Sequence, residues 1–278
     1  MIKYNKKIKE ILNININDYK KYSELYSSIE IEIKPVKNEY GKFIEMNEEN
    51  KKYFHIYFND NKEEIKRNYL NENDNVEKLK IIIDYQIKSF IGLFKECKCI
   101  EYIYFKKFYR INIIDMSDMF YGCSSLKELN LFIFITANVT DMSHMFDSCA
   151  LLQELNLYNF NTKNVTDMNS MFYECSSLKD LNLNNFNTSK VNDMHSMFYK
   201  CSSLKQLKLN NFNTNNVKNM RTMFYECSSL KELNLNNFNT QNVIYMYRMF
   251  YECSDELVMK IKAQYKNIRE EAFEHDYI

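Results

Sequence analysis

The chain has 278 residues with 37 basic and 37 acidic side chains, a formal charge of zero, and only 3 Gly and 1 Pro. This length allows one or two domains with a sizeable core, while the shortage of Gly excludes collagen and glycine-rich phosphate loops. The balanced charge provides no global field to attract nucleic acid or an anionic membrane, so neither is expected as a partner.

Residues 1 to 83 are predicted to form a small N-terminal α+β cap domain. Apolar residues between Ile8 and Tyr26 follow helical spacing. Alternating Ile residues from Ile29 to Ile33, the apolar residues between Phe54 and Phe58, and the run from Leu79 to Ile83 predict three strands. We expect the last of these strands to join the sheet of the segment that follows.

Seven of the eight cysteines recur at a fixed interval of 26 residues. An apolar template follows each of the first six at the same spacing. For Cys175, this template consists of Leu178, Leu181, Leu183, Phe186, Val191, Met194, Met197 and Phe198. A fixed period of this size predicts an α/β solenoid, which would span residues 84 to 253 with about six and a half repeats.

Two periods coexist inside each repeat. Leu181 and Leu183 alternate with polar residues, which is typical of a short strand, whereas Val191, Met194 and Met197 follow helical or 3₁₀ spacing and predict a short helical segment. Acidic residues that recur before the Met positions are predicted to cap or brace this segment. The connecting turn Asn-Asn-Phe-Asn-Thr is expected to use the tolerance of Asn for left-handed conformations.

A family resemblance emerges from these residues. The segment NVTDMNSMFYECSSL at residues 164 to 178, together with the pattern LxxLxLxxF, resembles the Met-Phe- and Cys-rich 26-residue repeat subgroup of the BspA-like leucine-rich repeat family. The resemblance covers about residues 84 to 253 and implies a leucine-rich-repeat array. Members of that family are mostly described as surface or interaction proteins, and several are adhesins, so the resemblance implies protein binding.

The repeat pattern stops after Cys253, and residues 254 to 278 are predicted to form a C-terminal capping helix. Asp255 is expected to cap it. Its apolar face would carry Leu257, Val258, Ile261, Tyr265, Ile268 and Ala272. Charged residues between these positions give the helix the polar outer side that a terminal repeat requires.

The sequence offers no pattern that points to catalysis or to a cofactor. Stacked cysteines with parallel side chains suit burial of free thiols better than disulfides, and zinc would need ligands at shorter spacings. Only Cys97 and Cys99 lie close together, without a nearby His. The four histidines occupy unrelated positions, and no Ser-His-Asp arrangement or phosphate-binding loop is found. No metal, cofactor or enzyme activity is expected; the remote alternative is an enzyme within residues 1 to 83.

Binding has a more specific candidate, because polar residues that alternate with the strand leucines should point outward. The predicted protein-binding face consists of Glu128, Asn130, Phe132, Glu154, Asn156, Tyr158, Asp180, Asn182, Gln206, Lys208, Glu232 and Asn234. Lysines beside the acidic column, such as Lys127 and Lys179, are expected to neutralise it, and a merely solvated face is the simpler interpretation. A possible second face is the tyrosine column Tyr121, Tyr173, Tyr199, Tyr225 and Tyr251, which could also be a packed ridge.

The sequence therefore favours a noncatalytic leucine-rich-repeat protein that mediates a protein-protein interaction through its sheet face. Its first twenty residues interrupt their apolar positions with Lys, Asn and Asp, so no secretory signal is expected. No apolar run is long enough for a membrane span. We expect a monomer in the cytoplasm that binds a protein of unknown identity. The alternative is a cell-surface adhesin that binds host or matrix proteins.

Overall fold

The structure is a computed structural model that describes residues 28–84, 87, 89–108 and 113–274. The predicted N-terminal helical residues and His275 lie outside the described residues. No helix in the described part of the chain is long and apolar enough to cross a membrane.

The first half of the described chain is built around an antiparallel sheet, which confirms the three strands predicted before residue 84. A 3-10 helix, Lys51–Tyr53, precedes the second of them. The strands are β1 (Ile29–Pro35), β2 (Gly41–Lys42), β3 (Phe54–Phe58), β4 (Tyr69–Leu70), β5 (Leu79–Ile83) and β6 (Ile100–Lys107). Four of them follow the order β3-β5-β1-β6, and β2 pairs separately with β4.

The strand that joins this sheet to the repeats is β1, not β5. Strand β5 pairs antiparallel with β3 on one edge and with β1 on the other, so it has no free edge. Strand β1 then pairs antiparallel with β6, the first strand of the repeats. The last predicted strand, β5, therefore belongs to the same sheet as the first strands of the repeats, as expected, but β1 lies between them.

The later strands are short and stack in parallel, one in each repeat. They are β7 (Glu128–Asn130), β8 (Glu154–Leu155), β9 (Asp180–Leu181), β10 (Gln206–Leu207) and β11 (Glu232–Leu233). Strand β6 pairs with β7, β8 with β9, and β10 with β11, in each case between residues 26 positions apart. The chain therefore forms tandem repeats that contain strands and few helices.

The segment after each strand is not helical, which corrects the predicted helical part of the repeat. Residues 113 to 253 contain turns there, with two left-handed residues in each repeat, such as Ser170 (φ 52°) and Glu174 (φ 51°). These conformations orient every second backbone N–H toward the next repeat. The Ser170 N–H donates to the carbonyl of His195 (2.8 Å), and the Glu174 N–H donates to that of Tyr199 (2.7 Å). Every second amide thus bonds the next repeat, while those between them bond the preceding turn of their own repeat, as the Met171 N–H does to the Met168 carbonyl.

The Asp column braces these turns as predicted, although it does not begin a helix. The Asp167 carboxylate accepts from the N–H of Asn169 at 2.9 Å. Parallel bridges also join Asp141 to Asp167 and Asp167 to Asp193, so the column forms a second ladder beside the strands.

The Asn-rich turns are held by side-chain hydrogen bonds and not by left-handed asparagines. The amide of Asn185 donates to the carbonyls of Leu157 and Phe160, at 2.9 and 2.7 Å. The fully buried Thr188 hydroxyl donates to the Asn213 carbonyl and accepts from its N–H. The left-handed residues of the described repeats are instead mostly Ser, Glu and other polar types. The expectation about Asn conformation is therefore wrong.

One continuous hydrophobic core runs from Ile29 to Ala272. Its Phe column is regular: Phe172 lies between Phe146 and Phe198, with ring centroids 5.7 and 5.6 Å away and nearly parallel planes. The two Met columns that flank it are fully buried. Each repeat therefore covers the apolar face of its neighbour.

The described chain ends in α1 (Asp255–Gln264), which buries Leu257 and Ile261. Its N-cap is Ser254, whose hydroxyl accepts from the N–H of Leu257, and not Asp255 as predicted. The helix is also shorter than predicted, and a 3-10 helix follows at Glu270–Ala272. The carbonyl of Ala272 accepts from the N–H of Phe250 at 2.8 Å, so this segment satisfies amides that the last repeat would otherwise expose.

Candidate protein-binding face

The outward side chains of the short parallel strands form the sheet face, which consists of the twelve residues predicted from the sequence. All twelve are exposed. The reason is strand alternation: Leu155 and Leu181 point into the core, so Glu154 and Asp180 point outward. The structure brings all these residues to one side of the repeats, while their role in binding stays a prediction.

Large aromatic side chains stand at the N-terminal end of the sheet face. Phe132 and Tyr158 are 64% and 74% exposed. Tyr102 and Tyr104 lie beside them on β6, with stacked rings 6.3 Å apart. Burial and a hydrogen bond to Glu128 raise the pKa of Tyr104 to about 12. We call Tyr102, Tyr104, Phe132 and Tyr158 the aromatic patch.

The acidic side chains of the sheet face are not neutralised by the neighbouring lysines. Lys127 leans one repeat back to Glu101 (2.7 Å), and Lys179 donates to Gln153 (2.9 Å). Glu154 and Asp180 are direct neighbours in register. Within the described residues, neither has an ion pair. The predicted neutralisation is therefore wrong for Lys127 and Lys179, because both side chains reach the preceding repeat.

The fifth repeat differs from the others in charge. It carries Gln206 where the other repeats from β7 onward carry an acid, and Lys208 where they carry Asn. Sequence reasoning included both residues in the face but did not use this difference. Comparing the columns for residues that depart from the common type would have revealed it.

The tyrosine column lies in the turns that carry the Met-Phe pairs, which we call the turn side of the repeats. Its rings are stacked and half-buried. Tyr173, Tyr199 and Tyr225 are separated by 4.4 and 4.6 Å between ring centroids. Burial raises the pKa of the Tyr173 hydroxyl. Lys200 lies beside the stack, between Glu174 (3.8 Å) and Glu226 (3.7 Å). The ring faces are thus occupied by each other, which favours a structural role, and binding at this second face stays a prediction.

The cysteine column is buried, as predicted, with only Cys253 partly exposed. The Cys175 thiol donates to the carbonyl of Phe146 at 3.1 Å, and the same bond recurs in the other repeats. Burial raises the pKa of Cys99 to about 11 and that of Cys123 to about 12. Thiols with such a pKa remain protonated and are poor nucleophiles or metal ligands. In the part of the chain that the structure describes, no group of three or more His, Cys, Asp or Glu side chains is placed to hold a metal ion.

His144 and Asp147 interrupt the tyrosine column. Asp147 occupies the position where the other repeats have Tyr, and its buried carboxylate contacts His144 Nδ1 at 2.8 Å. This hydrogen bond raises the pKa of His144. His195, in a later repeat, has a lowered pKa because burial disfavours its charged form. His55 lies in the N-terminal sheet, where it contacts Glu64.

Comparison with known families gives one match. A family model described as "Mycoplasma protein of unknown function, DUF285" matches residues 88–182 and again residues 178–269. Neither the curated proteins nor the solved structures contain a match to this chain.

Proposed function

The chain belongs to that DUF285 family of unknown function, and we propose that it is a noncatalytic protein that binds another protein through its sheet face. In this proposal residues 84 to 253 are a solenoid of the BspA-like leucine-rich-repeat type, between a cap domain at residues 1 to 83 and a terminal cap at residues 254 to 278. The constant register of 26 residues and the buried strand leucines support it.

The exposure of Phe132 and Tyr158 is the observation that carries the proposal. Fully burying a side chain of this size is worth about 1.5 to 3 kcal/mol, so leaving two of them in water forgoes a substantial gain. The fold does not require them, since the next three repeats have Asn at the same position. Exposed aromatic residues are enriched among those that dominate binding energy at interfaces.

The unpaired acids Glu154 and Asp180 also favour binding of a partner to the sheet face. Like charges directly opposite each other on neighbouring strands are destabilising, and Glu154 and Asp180 are such a pair. A partner that presents basic groups there would relieve this repulsion. The face thus offers aromatic anchors beside charges that the chain itself does not compensate.

A site-specific photo-crosslinker tests the proposal in the native cell. It is placed at Tyr158 on the sheet face and, as a matched control, at Tyr225 on the turn side. We expect one protein to be crosslinked at Tyr158 and not at Tyr225, and mass spectrometry would identify it. Crosslinking to that protein at Tyr225 alone, or at neither position, would refute the proposed face.

Charge reversal tests the same face with the purified partner. The double variant Glu154→Lys and Asp180→Lys should weaken binding by at least about tenfold, because it replaces favourable charges by repulsive ones. Its thermal unfolding should remain close to that of the unmodified protein, since both residues are exposed. Unchanged binding by the folded variant would contradict the proposal.

We propose that the protein acts in the cytoplasm and as a monomer. Antibody staining of intact and permeabilised cells tests the location. A signal only after permeabilisation is expected, whereas staining of intact cells would favour the adhesin. Light scattering of the purified chain tests the monomer, and a molar mass above 33.7 kDa would contradict it.

A further inference from the structure

A groove lies at the C-terminal end of the sheet face, in the corner between the last two strands and α1. It has a volume of about 670 Å³. Strands β10 and β11 form its floor, and the helix residues Lys260, Ile261 and Gln264 form its wall. The Tyr265 hydroxyl accepts from the N–H of Leu235 at 3.1 Å, which fixes the end of this wall to the floor.

The floor of this groove is where the repeats depart from their common charge pattern. Gln206 replaces the acid that the other repeats carry from β7 onward, and Lys208 replaces their Asn. Both changes make the fifth repeat more positive. Lys205, a lysine that most other repeats share, precedes β10 and Lys208 follows it, so two lysines flank this strand and it contains no acid. No other strand of the sheet face from β7 onward has this charge.

The lysines of the corner are also free to meet an external group. Across the described part of the chain, Lys205, Lys208 and Lys231 form no ion pair, whereas Lys260 is paired with Glu256 at 2.7 Å. All three unpaired lysines are exposed. Two of them, Lys208 and Lys231, line the groove and face a single acid there, Glu232, while Lys205 adjoins the groove residue Gln206 in the chain.

We infer that this corner binds an acidic peptide segment of the partner. The lysines match its carboxylates, and this charge complementarity selects an acidic occupant. The amides of Gln206, Asn234 and Asn236 also line the groove. Amides both donate and accept, which suits a peptide backbone that presents both N–H and C=O groups, whereas a phosphate presents acceptors alone.

The inference rests on the proposed function and specifies the partner that the sheet face would select. The fifth repeat is two strands beyond the repeat of Tyr158, a distance of about 10 Å at a strand spacing of about 4.8 Å. An extended peptide covers that distance in about three residues. A partner segment with an apolar residue over the aromatic patch would therefore place acids about three residues farther along in the lysine corner.

Fluorescence anisotropy with the full chain tests this inference. The probe is a fluorescein-labelled octapeptide in which Glu alternates with Ser, and the same peptide with Gln in place of Glu is its control. The double variant Lys208→Asn and Lys231→Gln changes two groove residues to types that other repeats carry at these positions. The double variant Lys163→Asn and Lys190→Asn removes two exposed lysines outside the groove as a matched control.

We expect the Glu peptide to bind more tightly than the Gln peptide. The groove variant should weaken binding of the Glu peptide by about tenfold, because it removes two exposed charge pairs that each contribute up to about fivefold to the affinity. The control variant should leave this affinity unchanged. Equal binding of both peptides, or an equal loss in both variants, would overturn the inference. Tighter, lysine-dependent binding of an oligothymidylate would overturn its assignment to a peptide. The probe lacks apolar residues, so crosslinking at Tyr158 decides the proposed function independently.

Discussion

The turn side and the sheet face of the repeats come from the same repeated sequence, but they use repetition differently. On the turn side, repeated groups find partners in a neighbouring copy: Tyr173 stacks on Tyr199 of the next repeat, and the Cys175 thiol donates to the Phe146 carbonyl of the preceding one. On the sheet face, repetition places like charges side by side, as in Glu154 and Asp180. The repeated groups of the turn side thus find their partners within the chain, whereas the neighbouring acids of the sheet face do not.

This difference separates residues that serve the fold from residues that can serve binding. Groups buried on or near the turn side should therefore affect the free energy of unfolding, whereas exposed groups of the sheet face should affect affinity. Substitutions in the two classes should therefore differ in which of these two quantities they change.

The largest effect is expected from the buried Phe column. Phe172→Ala should lower the free energy of unfolding by about 3 to 5 kcal/mol, because it removes a fully buried ring that stacks on two others. Tyr158→Ala on the sheet face should change it by less than about 0.5 kcal/mol. Urea unfolding monitored by circular dichroism measures both, and similar losses would contradict the separation.

A smaller effect is expected from the buried Thr column. Thr188→Val keeps the shape but leaves the Asn213 N–H and carbonyl without their partner, so it should cost about 1 to 3 kcal/mol. Thr166→Val is the control, since that hydroxyl donates to one carbonyl from an exposed position. If both variants unfold at the same urea concentration, the column does not stabilise the turns as we describe.

The smallest effect is the pH dependence of His144, which Asp147 stabilises in its charged form. Because its pKa is raised in the folded chain, its contribution to stability is present below about pH 6.5 and is lost as pH rises through the raised pKa. His144→Ser should therefore cost more stability near pH 5 than near pH 8. The difference should stay below about 1 kcal/mol, because the ring is partly solvated.

His195→Ser provides the opposite sign. Burial lowers the pKa of His195, so its protonation opposes folding as pH falls below about 6.5. Replacing it should make the chain relatively more stable at low pH. Unfolding curves of both variants at the two pH values check these signs, and the same sign for both would contradict the two assigned environments.

Much of the structure of one repeat could be predicted from the sequence, and the error in the predicted helical segment has a physical cause. Period-two alternation around Leu181 and Leu183 predicts the strands and the outward residues, because it depends only on local chain geometry. The spacing of Met194 and Met197 predicts a helix wrongly. Consecutive turns with bonds three residues apart, such as Met197 N–H to the Met194 carbonyl, produce the same apolar spacing.

The contacts between repeats could not be predicted in the same way. The left-handed conformation of residues such as Ser196 is stabilised by hydrogen bonds to the next repeat, and the sequence of a single repeat does not show these bonds. The direction of Lys127 toward Glu101 likewise depends on how the units stack. The composition of the face was therefore predictable from the sequence, whereas its unpaired charges required the structure.

The most direct test of the central claim is the affinity of the crosslinked partner for the double variant Phe132→Asn and Tyr158→Asn. Both substitutions introduce the residue that later repeats carry at the same position, so the fold should be kept. We predict a dissociation constant at least about tenfold higher than that of the unmodified chain, since exposed aromatic residues are expected to dominate this interface. An unchanged dissociation constant, with the variant folded, would contradict the assignment of binding to the sheet face.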